Sequence, residues 1–397
     1  MLGWELPPHN SGGLGVACYQ LCQALARRGA DIDFILPYTP TVKYPFMNVL
    51  AAHDQHVLEV IKTGEAYDSY RYRFSDGSER EIGVFDQQAL YERCAAGIAK
   101  HEQYDVVHAH DWLTFRAALR IKQRHDWPLI VHVHSIERDR AGGFQGNPMV
   151  REIESLTMNL ADRIIAVSNH TKRMIVSDYH IPADKIEVVH NSIELADIEP
   201  LDEDNAYRYI ERMKNQGWRV VVNIGRQTIQ KGLPNLLYAA QKVIARAPKT
   251  LFLFVGSGEQ YHELITLAAQ LGIADKVLFT GFQRGKRWRD AYAVADLFVM
   301  PSVSEPFGLT PLEAIGYGTP ALISRQSGVS EVIINCLKVD FWDVNEMANM
   351  MTAVVQNDGL RDELHANSLR EYNRLSWNRA ADRLMDLYQV HSQGSPA

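Results

Sequence analysis

The chain has 397 residues, of which 46% are hydrophobic and 22% charged, and a formal net charge of −7. That length exceeds one ordinary core and predicts two domains. The composition excludes disorder, and the acidic balance argues against a nucleic-acid partner. No apolar run approaches a bilayer span and no charged-then-apolar leader opens the chain, so a cytoplasmic location is expected.

The opening, MLGWELPPHNSGG, leaves only MLGW for a first strand. Strands usually run to five or six residues, which suggests that a few residues are missing upstream. Next comes SGGLGVA (11–17), with helical periodicity over 15–29. Glycines at a helix start let backbone N–H groups approach an anion, although a tight turn would look the same. A dinucleotide-binding reading, with Asp31 or Asp33 on the ribose, is incomplete. Gly13 and Gly15 give G-x-G, but Cys18 stands where the third glycine belongs. Cys18 and Cys22 lie one helical turn apart, while Cys94 and Cys336 are isolated. No C-x2-C spacing occurs, so the thiols read as small buried hydrophobes of a reducing compartment.

Strands are predicted at 31–38, 69–76, 80–86, 105–110, 129–135, 163–168 and 186–191, with helical patterns between several of them, including 147–162. Arg116, Arg120 and Arg124 recur every fourth residue on one helix face. That face could meet an anionic lipid or phosphorylated acceptor, but solvated faces of this kind are common. Two strand ends carry paired histidines, His108 with His110 and His132 with His134, each pair on one strand face. They read as hydrogen-bonding groups at a cleft. A metal set would need cysteine or carboxylate partners that the local sequence lacks. The glycine-rich stretch 139–148 reads as a mobile acceptor loop or a flexible linker.

The polar, acidic stretch 193–208 reads as a connector, after which the alternation restarts with strands at 219–225, 250–256, 276–282, 296–302 and 320–324. Two doubly wound α/β domains in series follow, with ligands expected at strand carboxyl ends and across the cleft between the domains. In NIGRQTIQKG (223–232), Arg226 and Lys231 flank a strand end and a helix start, a place suited to a diphosphate or merely to two solvated charges. In SEPFGLTPLEA (304–314), Thr310 as N-cap, Pro311 as first helical residue and Glu313 three after the cap form a capping box. Glu305 has no such explanation. Carboxylates on either side of a glycine-opened helix start could accept sugar hydroxyls around a phosphate, which describes a nucleotide sugar.

SGGLG, HAHDW, VHSIE, ADRIIAVSNHTK, VVHNSIE, GRQTIQKG, FVGSGE, FTGF and SEPFGLTPLEA follow one another along nearly the whole chain. In this order they resemble the retaining glycosyltransferases of family 4, with a lean toward the glycogen- and starch-synthase branch. The resemblance implies the GT-B fold, two Rossmann-like doubly wound domains facing across a cleft. Residues 1–195 would form the acceptor domain, with 376–397 packing back on it, and 196–375 the donor domain. It further implies transfer of a hexose, with glucose preferred, from a nucleoside-diphosphate sugar to a hydroxyl of a glucan, sugar or lipid-linked sugar, forming an α-glycosidic bond.

By the same resemblance Arg226 and Lys231 grip the diphosphate and Glu305 the hexose hydroxyls. Phe307, Gly308, Leu309 and Thr310 line sugar and phosphate, Glu313 binds the ribose, and Gly281, Phe282 and Gln283 the nucleobase. Gly13, Leu14 and Gly15 close over the phosphates through backbone only, since Asn10 and Ser11 replace a lysine-bearing loop of related synthases. His134 and His110 lie by the reacting sugar, His134 preferred. No cofactor and no metal are expected, the cations serving instead. The rivals are a GT-B nucleotide-sugar epimerase, an NAD-dependent oxidoreductase with two Rossmann domains, and a non-catalytic binding module.

Overall fold

The computed structural model of the chain describes residues 1–9, 12–53, 57–62, 69–74, 77–193, 200–202 and 204–392. Asn10 and Ser11, and residues 194–199 and 203 of the connector, lie outside the described residues. The chain divides into two units, Met1–Glu137 with Gly146–Asn191 and Trp377–Ala397, and Arg138–Gln145 with Ser192–Ser376. The break near 195 therefore falls at Asn191, and the segment 138–145 groups with the second unit.

In the first unit the strands are β1 (Asp33–Leu36), β2 (Asn48–Ala51), β3 (Val57–Lys62), β4 (Ser69–Phe74), β5 (Glu79–Gly83), β6 (Val107–His110), β7 (Leu129–Val133), β8 (Arg163–Ala166) and β9 (Ile186–Val188). Pairs β1–β2 and β6–β7–β8–β9 are parallel, and Leu2 bridges both β1 and β6. The parallel order is thus β2-β1-Leu2-β6-β7-β8-β9, with the opening strand reduced to one bridging residue. β6 and β7 are buried at every position, as parallel strands covered on both faces are. Val131 and Val133 belong to one core, whereas Ile130 and Ile165 join Cys18, Cys22, Trp377 and Leu384 in the other. The second face is covered by the helices Gly13–Ala26 and Trp377–Ser392, tied by Arg28 to Asp382 and, at 2.7 Å, to Asn378.

The stretches 69–76 and 80–86 do not join this sheet. β3, β4 and β5 form a separate antiparallel sheet, and the helix Val84–Ala99 takes over where 80–86 was expected to remain strand. β2 and β3 carry no strong alternation and were not anticipated.

In the second unit β10 (Arg219–Ile224), β11 (Thr250–Val255), β12 (Val277–Phe279), β13 (Leu297–Met300), β14 (Ala321–Ser324) and β15 (Leu337–Val339) form one parallel sheet in the order β12-β11-β10-β13-β14-β15. The chain winds one way from β10 to β12 and the other way from β13 to β15. The direction reverses between β10 and β13, and a crevice outside the strand ends is expected at such a point.

Candidate functional site

The reversal brings together residues far apart in sequence. β10 ends in Gly225, followed by Arg226, a short 3₁₀ turn Ile229–Lys231, and Gly232 opening the helix Leu233–Arg246. Gly232 has φ +62°, and a Cβ there would lie 2.3 Å from the carbonyl oxygen of Pro301 just after β13, so only glycine fits. The neighbouring loop comes as close, since a Cβ on Gly256 would lie 1.9 Å from the Gly225 oxygen. GRQTIQKG and FVGSGE are therefore pressed backbone to backbone.

Lys231 Nζ stands 2.5 Å from Glu305 Oε2, which also accepts from Ser302 Oγ at 2.9 Å. Glu305 is buried, and its backbone is pinned by Glu305 N to Gln326 O at 2.8 Å and Gly328 N to Glu305 O at 2.9 Å. Arg226 is half-buried and, among the described residues, has no hydrogen-bond or ion-pair partner. Of the two cations, Arg226 has no partner among the described residues and Lys231 is neutralised by Glu305. Gly308, at φ +96°, turns the chain between buried Phe307 and the helix Thr310–Gly316.

The capping box does not form. Leu309 occupies the cap, its carbonyl accepting from Glu313 N at 3.0 Å, while Thr310 is already helical and its hydroxyl approaches Met300 Sδ at 3.8 Å. Pro311 still lies in the first turn. Glu313 turns away from the helix start and accepts from Tyr292 Oη at 2.7 Å. Burial pushes its carboxyl up to about 7, against the pull of the Tyr292 hydrogen bond. Tyr292, which the sequence reading missed, is itself held by stacking on Tyr317. After β12, Gly281 adopts φ +69°, Phe282 is exposed with Arg284 over its ring, and Gln283 donates to Thr280 O at 2.7 Å. An exposed ring at a strand end can stack a nucleobase.

In the first unit Gly13, Leu14 and Gly15 form the first turn of the helix Gly13–Ala26, with Gly13 exposed and Gly15 buried. The register pairs His110 with His132, so His108, His110, His132 and His134 share one face, their rings stacked 4.3–5.3 Å apart. His110 Nδ1 lies 3.0 Å from His134 Nε2, and His108 Nδ1 2.5 Å from Tyr388 Oη. Burial holds all four imidazoles below their ordinary range, His134 down to about 3. The pairs were expected to lack cysteine. Instead Cys18, from the helix Gly13–Ala26, reaches His110 and His134 with ligand atoms within 4.8 Å of one another. Local sequence could not show this, because the contact depends on strand order.

Asp111 was also missed. At φ +59° it directs Oδ1 to His134 N at 2.6 Å and Ser135 N at 3.2 Å, joining the ends of β6 and β7. Its place in HAHDW was the available signal. Asp33 of the dinucleotide reading is engaged by Tyr104 Oη at 2.7 Å and Asn48 Nδ2 at 2.9 Å.

Two acceptor expectations change. Arg116 and Arg120 both pair with Glu92, at 3.0 and 3.1 Å, so two of the three arginines on that face are neutralised. The glycine-rich stretch is anchored, since Asp139 accepts from Ser304 Oγ and Gly142 abuts Ile229. No helix of the described residues is long and apolar enough to cross a membrane.

Two parallel α/β units in series, with phosphate- and sugar-suited groups at strand carboxyl ends, define a protein of the GT-B fold. Residues 11–197 match the family described as Glycosyltransferase Family 4, and residues 211–371 match Glycosyl transferases group 1. An uncharacterized glycosyltransferase of Methanocaldococcus jannaschii, MJ1607, is 28% identical over 98% of this chain and 97% of its own. Among solved structures, sucrose-phosphate synthase from Thermosynechococcus elongatus superposes with a TM-score of 0.79 at 19% identity, covering 99% of both chains. HepE of Anabaena, in complex with UDP-glucose, gives 0.69 at 16% identity over 98% of this chain and 99% of its own. The chain is a glycosyltransferase of the GT-B fold, its first half similar to the family 4 model and its second to the group 1 model.

Proposed function

We propose that the protein transfers glucose from UDP-glucose to a hydroxyl acceptor with retention of anomeric configuration. The observation that carries this is the convergence of Arg226, Lys231, Glu305 and Glu313 on the strand ends where the sheet of the second unit reverses. A diphosphate needs paired cations and donors, a hexose and a ribose each need hydroxyl acceptors, and these residues supply both in the right order. UDP-glucose in the HepE structure supports the choice of donor.

In this reading Phe282 stacks the uracil, with Gly281 and Gln283 beside it, and Glu313 receives the ribose hydroxyls. Arg226 and Lys231 hold the diphosphate, assisted by backbone N–H groups of Gly308, Leu309 and Thr310. Glu305 and the Phe307 backbone orient the glucose. The bond from C1 to the phosphate oxygen breaks as the acceptor oxygen bonds C1 on the same face. The acceptor proton passes to the departing phosphate oxygen. Stabilising the developing charge on that diphosphate is the task of Arg226 and Lys231, which makes a metal at the phosphates unnecessary.

A thermal-shift panel of UDP-, ADP- and GDP-glucose, the free diphosphates and NAD tests the donor, because a ligand of the native state raises Tm. A shift confined to the uridine compounds supports the reading. A shift with NAD alone overturns it.

A further inference from the structure

The histidine cluster of the first unit holds more donor atoms than hydrogen bonds employ. His108 Nε2, His110 Nε2, both nitrogens of His132 and His134 Nδ1 are buried without a protein partner. Of the remaining ring nitrogens, His110 Nδ1 and His134 Nε2 engage only each other, at 3.0 Å. The ligand atoms of Cys18, His110 and His134 lie within 4.8 Å of one another. We propose that Cys18, His110 and His134 form a zinc site, and that zinc bound there blocks sugar transfer.

The donor set decides the metal. Two imidazoles and a thiolate suit zinc, whereas magnesium seeks oxygen, and the nearby carboxylate of Asp111 is engaged by the backbone of His134 and Ser135. Zn–N bonds of about 2.0–2.1 Å at a tetrahedral angle place two nitrogens roughly 3.3 Å apart. His110 Nδ1 and His134 Nε2 are at 3.0 Å, so a few tenths of an ångström would turn their mutual hydrogen bond into a chelate. Cys18 is buried, and zinc would bind it as the thiolate with release of a proton to solvent. His134 is the least buried of the three and gives the ion its approach, with one coordination position left for water. Blocking follows because the metal claims both histidines. This half rests on the proposed function and on the catalytic part that the family resemblance gives His110 and His134.

Cobalt(II) is the first probe, since a cobalt–thiolate bond gives a near-ultraviolet charge-transfer band that imidazole alone does not. The full chain, stripped of metal, should develop the band with one equivalent of cobalt and lose it to one equivalent of zinc, while magnesium has no effect. Cys22→Ala should retain the band. Cys18→Ser should lose it and bind zinc at least tenfold more weakly, with circular dichroism reporting the fold. Should Cys18→Ser not fold, His134→Ala offers the same tenfold loss at a less buried position. No band in the wild type, or a band that survives Cys18→Ser, overturns the site. Zinc that binds without slowing transfer overturns the blocking half alone. A chain without transferase activity leaves the cobalt readout intact, so failure of the site and failure of the proposed function remain distinct.

Discussion

In the proposed donor site, Glu313 should couple donor binding to pH. Its carboxyl is raised from 4.5 to about 7 by burial, with the Tyr292 hydrogen bond at 2.7 Å pulling the other way. A carboxyl whose folded pKa is raised stabilises the fold below its unfolded pKa. That contribution is lost as pH rises through about 7, and the gap corresponds to at most about 3 kcal/mol. Ribose hydroxyls donate to a carboxylate, so donor affinity should follow the ionised fraction. That fraction is about one-tenth a unit below the pKa and about nine-tenths a unit above, giving roughly tenfold tighter binding of UDP-glucose across the interval. Its diphosphate is a diester without a group titrating in this range, so the protein must supply the dependence. Tyr292→Phe removes the hydrogen bond that favours the anion. A loss of about 1.5 kcal/mol would move the midpoint up by roughly one pH unit. Calorimetric titrations in two buffers of different ionisation enthalpy read affinity and proton release together. Glu313→Gln should give a flat profile. A wild-type affinity independent of pH, or a slope unchanged in Glu313→Gln, would refute the reasoning.

Lys231→Ala should weaken free UDP and UDP-glucose alike by about 10- to 100-fold, the range of a charge-assisted hydrogen bond, as read by calorimetry; unchanged UDP affinity would remove it from the phosphate site. Glu305→Gln should tighten free UDP several-fold by releasing Lys231, and abolish transfer to any acceptor; slower transfer without tighter UDP would mean the ion pair does not restrain the lysine. Gly232→Ala sets a Cβ against the Pro301 oxygen at φ +62° and should cost about 2 kcal/mol or more in urea unfolding, whereas a loss below half of that would show that the loop yields. Asp111→Ala frees the His134 backbone and should lower kcat with little change in donor KM; a change in KM alone would make it a binding residue.

The strand–helix alternation was legible because parallel strands buried on both faces announce themselves as apolar runs, and β10, β11 and β13 stand within a residue or two of where those runs lie. β3–β5 escaped that logic, since an antiparallel sheet with exposed positions looks like any alternating segment. The residue types at the donor positions were legible, but their partners were not. Glu313 reads as a capping glutamate from spacing alone. Only the tertiary fold reveals that the helix begins one residue earlier and that Tyr292, 21 positions upstream, holds the carboxyl. Likewise the proximity of Cys18 to His110 and His134 depends on strand order in the first unit.

Both glutamates of SEPFGLTPLEA are thus held by side chains that a donor would have to displace or share. Arg226, which has no partner among the described residues, can meet an incoming phosphate at no cost in lost contacts. Lys231 is already engaged by Glu305, and in the proposed site a phosphate would draw it away from that carboxylate. That exchange is useful rather than wasteful. The carboxylate loses its cation at the moment a hexose arrives with hydroxyls to donate, so phosphate and sugar recognition reinforce each other. A free nucleotide brings only the phosphate half and leaves Glu305 buried without its counter-charge, which is unfavourable. In the proposed site the pair should therefore favour the intact nucleotide sugar over its product, as turnover requires if spent UDP is to leave.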